Sequence, residues 1–434
     1  MDHHIPKRLS AAILNSLQAG VVPRVGLEYV AVGRKREIET VLGDLENISA
    51  GAGAFRFVTG RYGSGKSFFL QAIRNFAMEK DFLVADVDLS PEKRLAGSGR
   101  QGLETYRELM ERLSTKVRPN GGALESMLQK WINAVKNDLI KEGLLPSDET
   151  FNSRAETKIY EALGEMENFA HGFDFAAAVS AYNRSYTEGD DNRKQAALRW
   201  LRGELSTKSE ARPWLAVGEI ISDENWYEYI KLIAAFSSRI GFRGFLVFID
   251  EGVNLYKISN RQSRENNYEK LLAMFNDCLQ GKAEHLGIFF AGTPQFIEDE
   301  RRGLASYAAL KSRLADNRFV REGFSDSGSP VIRLDQLSRE ELYVLLERLA
   351  HIHATHHEYE QRLGDREFRA FLELVFSAPG AEEFLTPREI TRDFLGLLNI
   401  MKDDPSARFD DIIQRAEYTA PSSAGDGMYA EVEL

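Results

Sequence analysis

The chain has 434 residues, 43% hydrophobic and 28% charged, and a formal net charge of -11. That length exceeds one small core and points to two or three packed units, while the composition excludes a fibrous or wholly disordered protein. The acidic balance leaves any phosphate backbone to be met by a local basic patch, and a single cysteine, Cys278, excludes an intramolecular disulfide and a cysteine-based zinc site.

No apolar run approaches the roughly 20 residues of a membrane span, and MDHHIPKRLS has no signal-peptide core, so a cytoplasmic protein with no membrane association is expected. Leu9, Ile13, Leu14 and Leu17 fall at helical spacing before a turn at Gly20 and Pro23, which predicts a helical segment over 1–30. GRKREIETVLGDLENI predicts a second helix with Ile38, Val41, Leu42 and Leu45 on its apolar face, and SAGAGA turns the chain into a short strand, FRFVT. A glycine-rich loop, GRYGSGKS, and an apolar-periodic helix follow at once; FLVADVDLS (82–90) is the next strand.

From about 105 to 240 the pattern is mainly helical, with breaks at 118–122, 144–150 and 187–192, and is expected to be an insertion. GFLVFID and GIFFAG are near-continuous apolar runs, as expected of strands buried on both faces of a parallel sheet. Strands alternating with helices predict a doubly covered α/β domain over 31–330. Three helical patterns then suggest a C-terminal helical domain over 331–418, and an acidic tail, 419–434, is expected to be flexible.

Gly60-Arg61-Tyr62-Gly63-Ser64-Gly65-Lys66-Ser67 fits G-x-x-x-x-G-K-[ST] between a strand and a helix. Gly60, Gly63, Ser64 and Gly65 would let backbone N–H groups wrap a β-phosphate, Lys66 would bridge the β- and γ-phosphates, and the Ser67 hydroxyl would ligate Mg²⁺. ATP with Mg²⁺ is the expected ligand pair. FLVFIDE carries Asp250 to the carboxyl end of a buried strand, where a carboxylate can hold the metal through water. Glu251 can polarise the water that attacks the γ-phosphate, which distinguishes a hydrolysing site from one that only binds.

The order of AVGRKREIETVL, the phosphate loop, FIDE, GTPQF, SRLADNRF and TPREITRDFLGLL resembles the AAA+ proteins. More narrowly, VVPRVGLEY, FRFVTGRYGSGKSFFLQAIRNFA, DLSPEKRL and TYRELMERL resemble the ATP-binding proteins of bacterial BREX-type phage-defence systems, the BrxC/BrxD family and its BrxD-like members. The resemblance implies an AAA+ three-layer parallel sheet with a C-terminal helical lid. It also implies a polar residue, Thr293, between the acidic strand and the γ-phosphate, an arginine finger at Arg313 or Arg318 acting on a neighbouring subunit, and a nucleotide-reading arginine, Arg388. Each has a plainer explanation: a strand cap before Pro294, solvated helix arginines, and an exposed arginine in a first helical turn.

His351, His353, His356 and His357 crowd one helix, but without H-E-x-x-H a solvated or helix-terminal role is expected rather than a metal site. Lys7-Arg8 and Arg34-Lys35-Arg36 are the candidates for DNA contact; with acidic neighbours they more often decorate a helix face. Three functions stay open: an ATPase motor or switch of a defence complex with helicase or methyltransferase partners, a slow regulatory ATP switch, and a DNA-binding initiator-like loader. The Asp250-Glu251 pair favours the first, and the trans arginine implies a homo-oligomer.

Overall fold

The computed structural model describes residues 5–315, 326–378, 380 and 385–415. Helices α1 (Lys7–Gln18), α2 (Leu27–Val30) and α3 (Lys35–Ser49) precede strand β1 (Ala54–Thr59), and α4 (Lys66–Glu79) precedes β2 (Leu83–Asp88). Seven α-helices then separate β2 from β3 (Phe245–Asp250): α5 (Gln101–Glu111), α6 (Ala123–Lys141), α7 (Phe151–Gly164), α8 (Gly172–Glu188), α9 (Asp191–Leu201), α10 (Lys208–Ala211) and α11 (Trp226–Arg239). After them come α12 (Val253–Tyr256), α13 (Arg261–Leu279), β4 (Leu286–Gly292), α14 (Pro294–Glu298), α15 (Ala308–Leu314) and β5 (Val331–Arg333). Helices α16 (Arg339–His357), α17 (Asp365–Ser377), α18 (Pro387–Asp403) and α19 (Phe409–Arg415) end the described chain. The chain divides into two compact units, one from the described residues of 1–37, 60–72 and 333–434, the other from 38–59 and 73–332.

The second unit is built on an α/β sheet of five parallel strands in the order β2-β3-β4-β1-β5. All seven residues of β4 and the first five of β3 are buried, so these strands are apolar on both faces, as a parallel sheet covered by helices requires. The register sets Thr59 opposite Gly292 and Asp88 opposite Asp250. Thr59, Asp88 and Asp250 thus stand at the carboxyl ends of β1, β2 and β3, while Arg56 and Asp86 lie within β1 and β2. β5, three residues long, is absent from the sequence expectation, which begins the C-terminal helical domain at 331; Val331 and Ile332 are too few to show a strand period.

Phe55, Phe57, Phe275 and Phe290 pack with ring centroids 5.0 to 6.1 Å apart. Aromatic residues also fill the helices between β2 and β3, where the Tyr106 hydroxyl donates to the Leu201 carbonyl at 2.7 Å and Trp200 Nε1 to Glu219 at 2.9 Å. The polar ends of Tyr106 and Trp200 are thereby satisfied, leaving these two rings to contribute about 1.5 to 3 kcal/mol each by burial. Asn267 Oδ1 accepts from the Leu95 and Ala96 N–H groups, both at 3.0 Å, which fastens the loop after β2 to α13. A Cβ on Gly53 would lie 2.6 Å from the Cys278 carbonyl oxygen, so the approach of α13 to the start of β1 admits only glycine. Cys278 is itself buried, and burial pushes its thiol up to about 12. On α3 the buried face is Val41, Asp44, Leu45 and Ile48, and Ile38, expected on that face, is exposed.

The first unit packs α1, α16, α17 and α18 around Ile13, Leu14, Leu346, Leu349, Phe371 and Phe394. Reciprocal capping boxes fix two of these helices: Ser338 with Glu341 on α16, and Thr386 with Glu389 on α18. No helix among the described residues is long and apolar enough to cross a membrane.

One buried charge tests the second unit. The Arg74 side chain is 4% exposed and donates to Asp86 Oδ1 at 2.7 Å, Ser114 Oγ at 2.8 Å and the Pro119 carbonyl at 3.0 Å. Asp86→Ala removes the carboxylate from this guanidinium and should cost about 3 kcal/mol or more, read as a lower denaturant midpoint, whereas a replacement on an exposed helix face should move it little.

Candidate functional site

The glycine-rich loop that the sequence suggests for phosphate begins where β1 ends. Gly63 and Gly65 have φ of +78° and +91°, in the left-handed region that glycine enters without strain. A Cβ on Gly63 would lie 2.5 Å from Thr386 Cβ, so the loop fits closely against the start of α18, whereas nothing stands within 4 Å of a Cβ on Gly65. A Cβ on Gly60 would lie 2.7 Å from the Leu334 carbonyl oxygen. Ser64 Oγ is buried and has no hydrogen-bond partner among the described residues.

Lys66 Nζ donates to the carbonyls of Gly60 at 2.8 Å and Arg61 at 2.9 Å, folding its ammonium back over the loop. Lys66 and Ser67 open α4, whose first turn contains no acidic residue, so the positive end of its dipole meets no carboxylate of its own. An open left-handed loop, a cation over it and a helix start with no acid in its first turn form a donor set suited to an anion such as phosphate.

Arg388 lies beside this loop. Its Nη1 is 3.2 Å from the Tyr62 hydroxyl, its guanidinium lies 5.7 Å from the centre of the Tyr62 ring, and its stem packs 3.4 Å from the Cβ position of Gly20. Tyr62, 73% exposed at the tip of the loop, went unremarked in the sequence because the motif admits any residue there. Arg34 was also missed: Nη2 donates to the Ser64 carbonyl at 2.9 Å and to the Asp335 carbonyl. Read from the sequence as part of a helix face, Arg34 in fact precedes α3 with a positive φ, which aims its side chain at the loop.

In the second unit, Asp250 ends β3, and its Oδ1 accepts from the N–H of Glu251 at 2.7 Å. Glu251 has a φ of +58°, an uncommon conformation for a glutamate, and the Gly252 N–H then bonds the Ala291 carbonyl at 2.9 Å. Asp88 ends the neighbouring strand in register with Asp250. Burial, together with the Asp250 carboxylate, raises the carboxyl pKa of Asp88 above its ordinary value against the pull of Arg112. FLVADVD ends in aspartate as FLVFID does, so the signal for Asp88 was present in the sequence.

Thr293 caps α14, its Oγ1 accepting from the Phe296 N–H at 3.4 Å. Arg313 is exposed, and its Nε donates to Asn276 Oδ1 at 3.0 Å and its Nη1 to the Ala309 carbonyl at 2.8 Å. It borders a cavity of about 540 Å³ that also includes Asp44 and Arg56, joined by two hydrogen bonds of 2.7 Å. Arg318 lies outside the described residues.

The model of the BREX system ATP-binding proteins BrxC/D matches residues 5–417, nearly the whole chain. The chain belongs to this family. It is accordingly an ATP-binding protein of a phage-defence system, and VVPRVGLEY and DLSPEKRL both lie inside the matched span. No curated protein matches the chain.

One histidine of this BREX protein, His353, departs from the solvated or helix-terminal role expected, whereas His351 and His357 are exposed. His353 is 2% exposed, with Nδ1 3.0 Å from the Tyr359 hydroxyl and Nε2 3.1 Å from Asn399 Oδ1, while His356 and His357 occupy the last turn of α16. No group of three or more metal-binding side chains occurs among the described residues. Burial pushes His353 down to about 4, with Asn399 opposing the shift, so the folded state binds fewer protons than an unfolded imidazole with a pKa of about 6.5. Stability should therefore be complete above pH 6.5 and decline as pH falls from 6.5 towards 4. Urea midpoints measured across that window should show the decline, and His353→Gln should flatten it.

Proposed function

We propose that this chain is a Mg-ATP-hydrolysing AAA+ protein that works as a motor or switch in its defence system. The observation that carries the proposal is the phosphate loop: left-handed glycines, an open face at Gly65 and the Lys66 ammonium over the loop, at the start of a helix with no acid in its first turn. In this reading Lys66 binds the β- and γ-phosphate oxygens, Ser67 and Asp250 hold magnesium, and the metal neutralises charge on the phosphates when bound. Glu251 orients a water and accepts its proton. The sheet order supports a polar role for Thr293, because β4 lies between β1, which feeds the loop, and β3, which ends in Asp250.

The C-terminal helices share a unit with the phosphate loop, which supports their role as a lid. Arg388 would then read the phosphates from α18, exchanging its contact with Tyr62 for the nucleotide. A slower, regulatory cycle is favoured by one observation: two donors of Arg313 are engaged within its own chain, and a trans arginine finger would first have to release Asn276 and Ala309.

Three measurements separate these readings. Lys66→Ala should abolish ATP binding by calorimetry while leaving the unfolding midpoint without nucleotide near that of the wild type. Glu251→Gln should keep ATP bound and slow phosphate release by roughly 10² to 10⁴, because the amide keeps the shape and loses the base. If Arg313 acts in trans, activity per subunit should rise with protein concentration, and mixing Arg313→Ala with Lys66→Ala should restore part of the turnover; flat specific activity on dilution selects the regulatory switch.

A further inference from the structure

Gly33 and Arg34 are consecutive residues with positive φ, +65° and +64°. Glycine enters that region freely, whereas an arginine there is strained and needs its surroundings to hold it. The surroundings are specific. A Cβ on Gly33 would lie 2.8 Å from Cδ of Glu341, and Glu341 is itself fixed by accepting from the Ser338 N–H at 2.8 Å in the capping box of α16. Just before this turn, the Ala31 carbonyl accepts from Arg348 on the same helix.

The strained turn directs a side chain that is largely covered. Arg34 Nη1 lies 3.5 Å from Glu37 Oε1, and Nη2 donates to both the Ser64 and Asp335 carbonyls. The Ser64 carbonyl belongs to the same planar peptide as the Gly65 N–H, and in a trans peptide the two point in opposite directions. Holding the carbonyl towards Arg34 therefore turns the Gly65 N–H away from it. That N–H donates to no backbone carbonyl among the described residues, and Gly65 is the loop position with open space around its Cβ direction.

We propose that Arg34 is a positioning residue of the phosphate cradle: its guanidinium locks the Ser64–Gly65 peptide so that the Gly65 N–H is presented to the polyphosphate of a bound nucleotide. The inference rests on the phosphate-loop reading above. It assigns the strain at Arg34 to preorganisation of an N–H donor, with α16 holding the turn from behind.

Arg34→Gly removes the guanidinium and relieves the left-handed strain together, and Arg34→Asn removes it while keeping a residue that tolerates that conformation. The full chain is used, with Mg-ATP, Mg-ADP and adenosine as ligands in calorimetry and the thermal midpoint recorded without nucleotide. Both variants should keep or raise the midpoint, lose about tenfold in affinity for ATP and ADP, as expected for one charge-assisted anchor, and bind adenosine as the wild type does. If ATP affinity is unchanged in both variants while Lys66→Ala has lost it, the positioning role is wrong and the phosphate-loop reading stands. A joint fall of affinity and midpoint in both would make Arg34 a fold residue and also overturn the proposal. Wild-type affinity in Lys66→Ala would remove the reading on which the inference rests.

Discussion

An all-parallel sheet brings the carboxyl ends of its strands to one edge, and the chemistry proposed for this protein depends on that constraint. β3 and β4 are apolar and buried along their length, so β3 admits charge only where it stops, whereas β1 and β2 carry Arg56 and Asp86 within their length in ion pairs. Asp88 and Asp250 stop adjacent strands in register, Thr293 follows the end of β4, and at the end of β1 the chain passes into Gly60. The sheet order therefore decides which polar residues become neighbours along the edge of this unit.

The other unit solves a different problem, that of holding a loop with little side chain of its own. Glycines give the phosphate loop its left-handed turns but cannot anchor it, so the anchors come from elsewhere in the sequence: the Thr386 side chain against Gly63, the Leu334 carbonyl against Gly60, and the Arg34 guanidinium on Ser64. Two of these lie at or just before capped helix starts, where the capping box fixes the local backbone. Helix capping thus serves the loop as well as the helices.

How much was visible beforehand follows from how local each signal is. The strands β1 to β4 and the glycine-rich turn before α4 were legible because a buried parallel strand is an apolar run and the turn is a contiguous motif between strand and helix. The breaks among the helices before β3 were legible for the same reason, in Pro, Gly and Asp clusters. β5 was not, since three residues between a turn and a helix have no measurable period. Arg34 and His353 were misread for a shared cause: the sequence places each among charged or polar neighbours, and only a backbone turn in one case and the arrival of α18 in the other brings the side chain inside. Ile38 shows the converse, an apolar residue at the expected spacing on an end of α3 that the core does not reach.

Cys278 has an experimental use as well as a structural one. It is the chain's single thiol, it packs inside α13, and burial holds it protonated far above neutral pH, so thiol reagents should pass it by in the folded protein. A second cysteine placed on an exposed position such as the tip of the phosphate loop would then be the one reactive handle. The wild-type chain is thus already a background-free host for fluorescent or spin probes, without the cysteine removal such work usually demands.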